Sequence, residues 1–158
     1  MRRFTPIELA IGVALAGSIA AVAIPTFVRE VHASRFVEPV DGLTRLGAAA
    51  VAHAEAFQRF PESAELTPST PPRGKKEVDP PGTWDGPTWS VLDFRAAPEG
   101  VPHAYSFEFE STGGTFIARA RGDLDGDGLL STFEIRGAAP PGEPPRVEPG
   151  MYVESELE

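Results

Sequence analysis

The 158-residue sequence predicts an α+β chain: a long N-terminal helix, transmembrane in its first half and amphipathic in its second, packed on a small antiparallel β-sheet head. Three observations predict it. Residues 9–24 form a run of 16 without a charge, in which Ser18 is the one polar side chain. Beyond it, apolar positions recur at intervals of three and four as far as Phe57, the spacing of one helix face. Residues 103–110 then alternate between aromatic or small and polar side chains, and a Gly-Gly turn follows, which is the pattern of a half-buried hairpin. The expected divisions are a short leader at 1–3, a transmembrane helix at 4–25, its amphipathic continuation at 26–60, and a loop-rich β head at 61–158.

Composition narrows the chemistry. The net charge is −9, and it is unevenly placed: residues 1–60 carry 6 basic and 5 acidic side chains, whereas residues 61–158 carry 8 and 18. Such an acidic head repels phosphate backbones, so no nucleic-acid partner is expected, and cations are the favoured ligands. The absence of cysteine excludes disulfide staples, thiolate metal sites and thiol catalysis together. Of the 17 prolines, 14 follow position 60, so the head is expected to consist of short elements joined by turns.

The N-terminal run, extended back to Phe4, makes a helix of about 30 Å, the thickness of a hydrocarbon core. Arg2 and Arg3 precede it, which orients the N-terminus toward the cytoplasm and the head outside. A carboxylate at Glu8, at the start of the apolar run, costs about 2.5 kcal/mol or more on insertion and needs a partner. A cleaved secretory signal is the alternative, with small residues near Ala21, Ala23 or Ala33 available for processing.

The residues Phe4-Thr5-Pro6-Ile7-Glu8-Leu9, the apolar run, and then Ala23-Ile24-Pro25-Thr26-Phe27 resemble the N-terminus of type IV pilins and pseudopilins. The resemblance implies cleavage before Phe4 by a prepilin peptidase, methylation of the new amine, and retention of Glu8 within the membrane. Arg3 stands where the family has Gly before the cut, and Pro6 replaces the commoner Leu, a change that a first helical turn tolerates. The resemblance also implies a pilin-like head, a bacterial inner-membrane location before assembly, and a periplasmic or extracellular filament of like or related subunits afterwards. In such a filament Glu8 would meet the N-terminal ammonium of a neighbour, and removing one partner of a buried pair costs about 3–5 kcal/mol.

After Pro25 the positions Phe36, Val40, Leu43, Gly47, Ala50, Ala54 and Phe57 are expected to share the buried helix face, with Arg35, Asp41, Arg45, Glu55 and Arg59 off it. Pro39 and Gly42 predict a local loosening near 38–42, and Pro61 is expected to end the helix. His32 and His53 lack the company of a metal site and read as boundary residues. In the head, residues 87–94 suggest a short helix anchored by Trp89, Leu92 and Phe94. Tyr105, Phe107 and Phe109 are expected inward on one strand, and Phe116, Ala118 and Ala120 inward on its return partner. A last strand is expected at 151–153.

Residues 123–134 satisfy D-x-[DN]-x-[DN]-G-x5-E, the calcium-loop pattern, at every fixed position. Asp123, Asp125 and Asp127 would supply carboxylate oxygens, Leu129 a backbone carbonyl, Ser131 a direct or water-mediated ligand, and Glu134 a bidentate clamp, with Gly128 making the turn. Four carboxylates so close repel one another unless a cation such as Ca2+ sits among them. An acidic, Asx-rich turn without metal is the alternative. What precedes the loop reads as a strand, so the device looks like an EF-hand-type loop grafted on a sheet, as in some pilins and pseudopilins. No triad, phosphate-cradling loop or catalytic His cluster is present, so an enzyme is not expected. Two functions remain from the sequence: a pilus or type II secretion pseudopilus subunit braced by calcium, or a secreted calcium-binding module released by signal peptidase.

Overall fold

The computed structural model describes residues 5–155, with the side chains of Leu9 and of residues 26–35 outside that description. The chain divides into two compact units, Met1–Phe36 and Val37–Glu158. The boundary falls within helix α1, Pro6–Phe57, so residues 37–57 belong with the head rather than with the apolar segment.

In the first unit, residues Pro6–Pro25 form a 20-residue stretch long and apolar enough to cross a membrane or to serve as a signal sequence, and none of it is buried. Ile7, Ile11, Val13, Leu15, Ile19, Val22 and Ile24 are all exposed to the surroundings. Ser18 returns its hydroxyl to the Ala14 carbonyl at 2.9 Å, which removes a polar group from the surface of the run.

In the second unit, α1 buries Pro39, Gly42, Leu43, Leu46, Gly47, Ala50 and Ala54. This stripe is displaced from the expected one: Val40 and Phe57 are exposed, while Pro39, Gly42 and Leu46 take their place inside. The reason is close approach. A Cβ on Gly42 would lie 2.4 Å from the Phe107 ring and one on Gly47 2.9 Å from Ile135, so the bare backbone at these points is what the sheet packs against. The helix runs unbroken through 38–42, where Pro39 and Gly42 predict loosening. It ends at Phe57, before Pro61, because Gln58 turns left-handed (φ 60°) and donates its backbone N–H to Ala54 at 2.9 Å.

The sheet holds six strands among the described residues: β1 (Ala64–Thr67), β2 (Tyr105–Ser111), β3 (Thr115–Gly122), β4 (Ser131–Ala138), β5 (Arg146–Val147) and β6 (Tyr152–Glu154). They run β1-β2-β3-β4-β5, all antiparallel, with β6 also on β4. The hairpin β2–β3 and the inward sets Tyr105, Phe107, Phe109 and Phe116, Ala118, Ala120 stand as the alternation predicted, every member buried. Strands β1, β4 and β5 were not expected.

A short helix α2, Pro87–Val91, presents Trp89, and Leu92 and Phe94 follow it into the core. Trp84 joins them. Its ring meets those of Trp89 (5.3 Å) and Phe94 (5.7 Å) edge-on, and Phe94 meets Phe107 at 5.1 Å, so the loop 79–101 is anchored by aromatic packing. Two polar devices tie the helix to the sheet edge and to the loops. Glu38 accepts the backbone N–H groups of Ala104 (2.6 Å) and Tyr105 (3.0 Å) and pairs with Lys76 at 2.9 Å. Arg45 reaches the carbonyls of Arg95 and Ala96 and lies 5.2 Å over the Phe94 ring.

Candidate functional sites in the acidic loop and the apolar helix

The acidic loop joins β3 to β4, and its shape comes from short-range bonds of its own aspartates. Asp123 Oδ1 accepts the Gly126 N–H at 2.8 Å, Asp125 Oδ1 that of Asp127 at 3.1 Å, and Asp127 Oδ1 that of Leu129 at 2.7 Å. Gly126 (φ 86°) and Gly128 (φ 98°) supply the left-handed turns that let three acidic side chains curl to one side. One carboxylate oxygen from each of Asp123, Asp125 and Asp127 lies within 4.8 Å of the others, so the three could hold a metal ion.

Asp125 and Asp127 are exposed, but Asp123 is only 2 % exposed, and its Oδ2 has no hydrogen-bond partner among the described residues. A buried carboxylate oxygen left without a donor is costly, and a cation is the group that satisfies it. The strand side of the loop is closed by residues 73 and 74. The Gly74 N–H donates to the Asp123 carbonyl at 2.8 Å, Arg73 and Asp123 form a parallel bridge, and Arg73 Nε lies 3.7 Å from Asp123 Oδ2.

Two further residues of the pattern, Ser131 and Glu134, lie on β4. Glu134, expected as the bidentate clamp, does not join the cluster. It lies on β4 directly opposite Arg119, and its two oxygens accept from Arg119 Nε at 2.6 Å and Arg136 Nε at 2.7 Å. Ser131, expected as a ligand, opens β4 on the inner face, fully buried, with its hydroxyl donating to the Gly122 carbonyl at 3.2 Å. Leu129 stays in the loop, with its side chain in solvent and its N–H donated to Asp127, and neither involves the backbone carbonyl expected as its ligand. The physical reason is register. Pairing Gly122 with Ser131 starts the ladder inside the motif, after which strand alternation sends Ser131 inward and Glu134 outward.

Glu134 thereby enters a ladder of charges on the outer sheet face. Arg119 bridges Glu134, Glu108 (2.8 Å) and Glu110 (3.2 Å), and Arg121 adds a second bond to Glu108 at 2.9 Å. Burial alone would raise the Glu134 carboxyl, but hydrogen bonds from Arg119 and Arg136 outweigh it and hold the group below its ordinary value. Burial likewise works against the charge on Arg119, and its three carboxylate partners overcome it, pushing the guanidinium further up. The sequence signal for this ladder was present in the alternation of residues 131–138 and in Arg119 and Arg121 facing Glu108 and Glu110.

At the other candidate site, Phe4 lies outside the described residues. Glu8 sits in the first turn of α1, where Thr5 donates both its N–H (2.8 Å) and its hydroxyl (3.0 Å) to Glu8 Oε2, and the Glu8 N–H returns to Thr5 Oγ1 at 3.3 Å. With Pro6 as the first helical residue, this is a capping box, legible in the sequence as Thr5-Pro6-Ile7-Glu8. Glu8 therefore has donors within its own chain. Compared with protein-family models, with curated proteins and with solved structures, the chain matches none.

Proposed function

We propose that this chain is a structural subunit of a type IV pilus or a type II secretion pseudopilus. In this reading it is held in a bacterial inner membrane by Pro6–Pro25, with its N-terminus cytoplasmic, and is then drawn into a filament of like or related subunits. A prepilin peptidase and methyltransferase would act on the residues before and at Phe4. One observation carries the reading: an unburied apolar helix has a carboxylate, Glu8, in its first turn. Lipid provides no counter-charge for that group, and the capping hydrogen bonds from Thr5 leave its full negative charge in place. Stacked copies in register supply the missing positive charge as a neighbour's N-terminal ammonium.

The same hydrogen bonds make the test sharper. Glu8→Gln keeps an oxygen for the Thr5 N–H and loses only the charge. Glu8→Gln is expected to insert in the membrane at the normal level and to be excluded from filaments; incorporation at the wild-type level refutes charge pairing. N-terminal sequencing of the mature chain separates this function from that of a secreted module: a start at Phe4 supports a pilin-like subunit, and a start beyond Ala23 supports signal-peptidase release.

The head, in this proposal, is braced by Ca2+ held by Asp123, Asp125 and Asp127, the residues whose oxygens converge. The ion would offset two of the three negative charges and ligate the buried Asp123 Oδ2, which accepts no hydrogen bond, bracing the β3–β4 loop in a domain without disulfides. Calorimetric titration of the full chain in detergent is expected to show binding with a calcium-dependent rise in Tm. Neither heat nor shift would leave the loop as an acidic turn.

A further inference from the structure

We infer that Arg73 is the resident counter-ion of the acidic loop, and that a divalent cation displaces its guanidinium on binding; this rests on the cation site proposed above. Asp123 is the buried member of the cluster, and Arg73 Nε stands 3.7 Å from its otherwise unpartnered Oδ2. That separation is an ion pair without a hydrogen bond, so the guanidinium neutralises the carboxylate without occupying its lone pairs.

The backbone holds Arg73 in that position. The parallel bridge between Arg73 and Asp123 and the Gly74 N–H bond to the Asp123 carbonyl pin this segment beside the loop. Gly74 is left-handed (φ 63°), and a Cβ there would come 3.2 Å from the Asp125 carbonyl oxygen, so the segment lies directly on the loop backbone. The Arg73 side chain is 68 % exposed, which leaves it free to swing into solvent while its backbone stays docked. Arg73 thus offers the loop one positive charge in the absence of a metal and withdraws it when a doubly charged ion arrives. The consequence is a site of deliberately lowered affinity, whose ion must compete with a tethered cation.

Loss of the Arg73–Asp123 ion pair, which the divalent ion must otherwise break, is worth roughly tenfold in affinity at this separation in a largely solvated setting. Calcium titration of the full chain in nonionic detergent micelles at low ionic strength measures it. Arg73→Gln is expected to bind calcium roughly tenfold more tightly than wild type, Arg73→Lys to bind within about twofold of wild type, and the advantage of Arg73→Gln to shrink as salt is raised. Lys75→Gln makes the same change in net charge two residues away, where the ammonium is paired with Glu77 at 3.1 Å, and is expected to alter affinity by less than about twofold. Wild-type binding with unchanged or weaker binding by Arg73→Gln overturns the inference and leaves the cation site standing. Equal tightening by Arg73→Gln and Lys75→Gln overturns it as well, because the effect is then one of overall charge. No binding by any of the four chains sinks the inference together with the cation site.

Discussion

Replacement of Glu134 by Gln separates two roles that the same residue could play, closing a metal loop or holding a sheet together. In the structure the carboxylate is 8 % exposed and is shared by Arg119, 21 % exposed, and Arg136, 61 % exposed. Breaking a buried pair costs about 3–5 kcal/mol and an exposed one about 0–1. The bond to Arg119 lies between these limits, and Arg119 keeps Glu108 and Glu110 after the substitution. Arg136 is exposed enough to recover hydration. The expected loss is therefore about 2 kcal/mol, which for a unit of this size lowers Tm by roughly 8 °C.

Circular dichroism melts of the full chain in detergent with a chelator present measure that loss without any contribution from metal. The pH dependence carries a sign. Because the folded-state carboxyl is held below its ordinary value of 4.5, its stabilisation is fully present above that value and is lost as pH falls through the lower folded-state value. The gap between wild type and Glu134→Gln is thus expected to be full near neutrality and to close in acid. Calcium affinity is expected to remain within about threefold of wild type, since the three aspartates are untouched. An unchanged Tm in chelator together with a tenfold or greater fall in calcium affinity would refute the placement of Glu134 on the sheet.

Three further outcomes follow from the packing. Gly42→Ala drives a methyl group to 2.4 Å from the buried Phe107 ring and is expected to destabilise the head by about 1–3 kcal/mol in denaturant melts, with Gly12→Ala, which meets nothing within 4 Å, as the control expected to show no loss. Asp79→Ala removes the acceptor of both the Trp84 indole N–H (2.6 Å) and the buried His103 ring (2.7 Å) and is expected to cost about 2–4 kcal/mol, with a change in tryptophan emission at neutral pH. Glu38→Ala strands the backbone N–H groups of Ala104 and Tyr105; a loss of about 1–3 kcal/mol is expected, with faster amide exchange at those two positions.

The amino-acid order alone determined whatever depends on local period and residue type. An uncharged run needs no partner to be recognised as a membrane-compatible helix, and the alternation of Tyr105, Phe107 and Phe109 places them on one face whatever lies above it. The loop pattern likewise announced three converging aspartates. What local order could not decide was which of two overlapping patterns governs residues 131–134. Read as the tail of a calcium loop, Ser131 and Glu134 are ligands; read as the start of a strand, one faces the core and the other the arginines of the outer sheet face. The choice belongs to β3, whose Gly122, Ala120 and Arg119 pair with Ser131, Phe133 and Glu134, and whose arginine is a strong partner for a carboxylate. The helix face was decided in the same way. Hydropathy favoured Val40 and Phe57, but close packing of a helix on a sheet rewards small residues where backbones approach, so Gly42 turned inward beside the expected Gly47 and the two larger side chains were left outside.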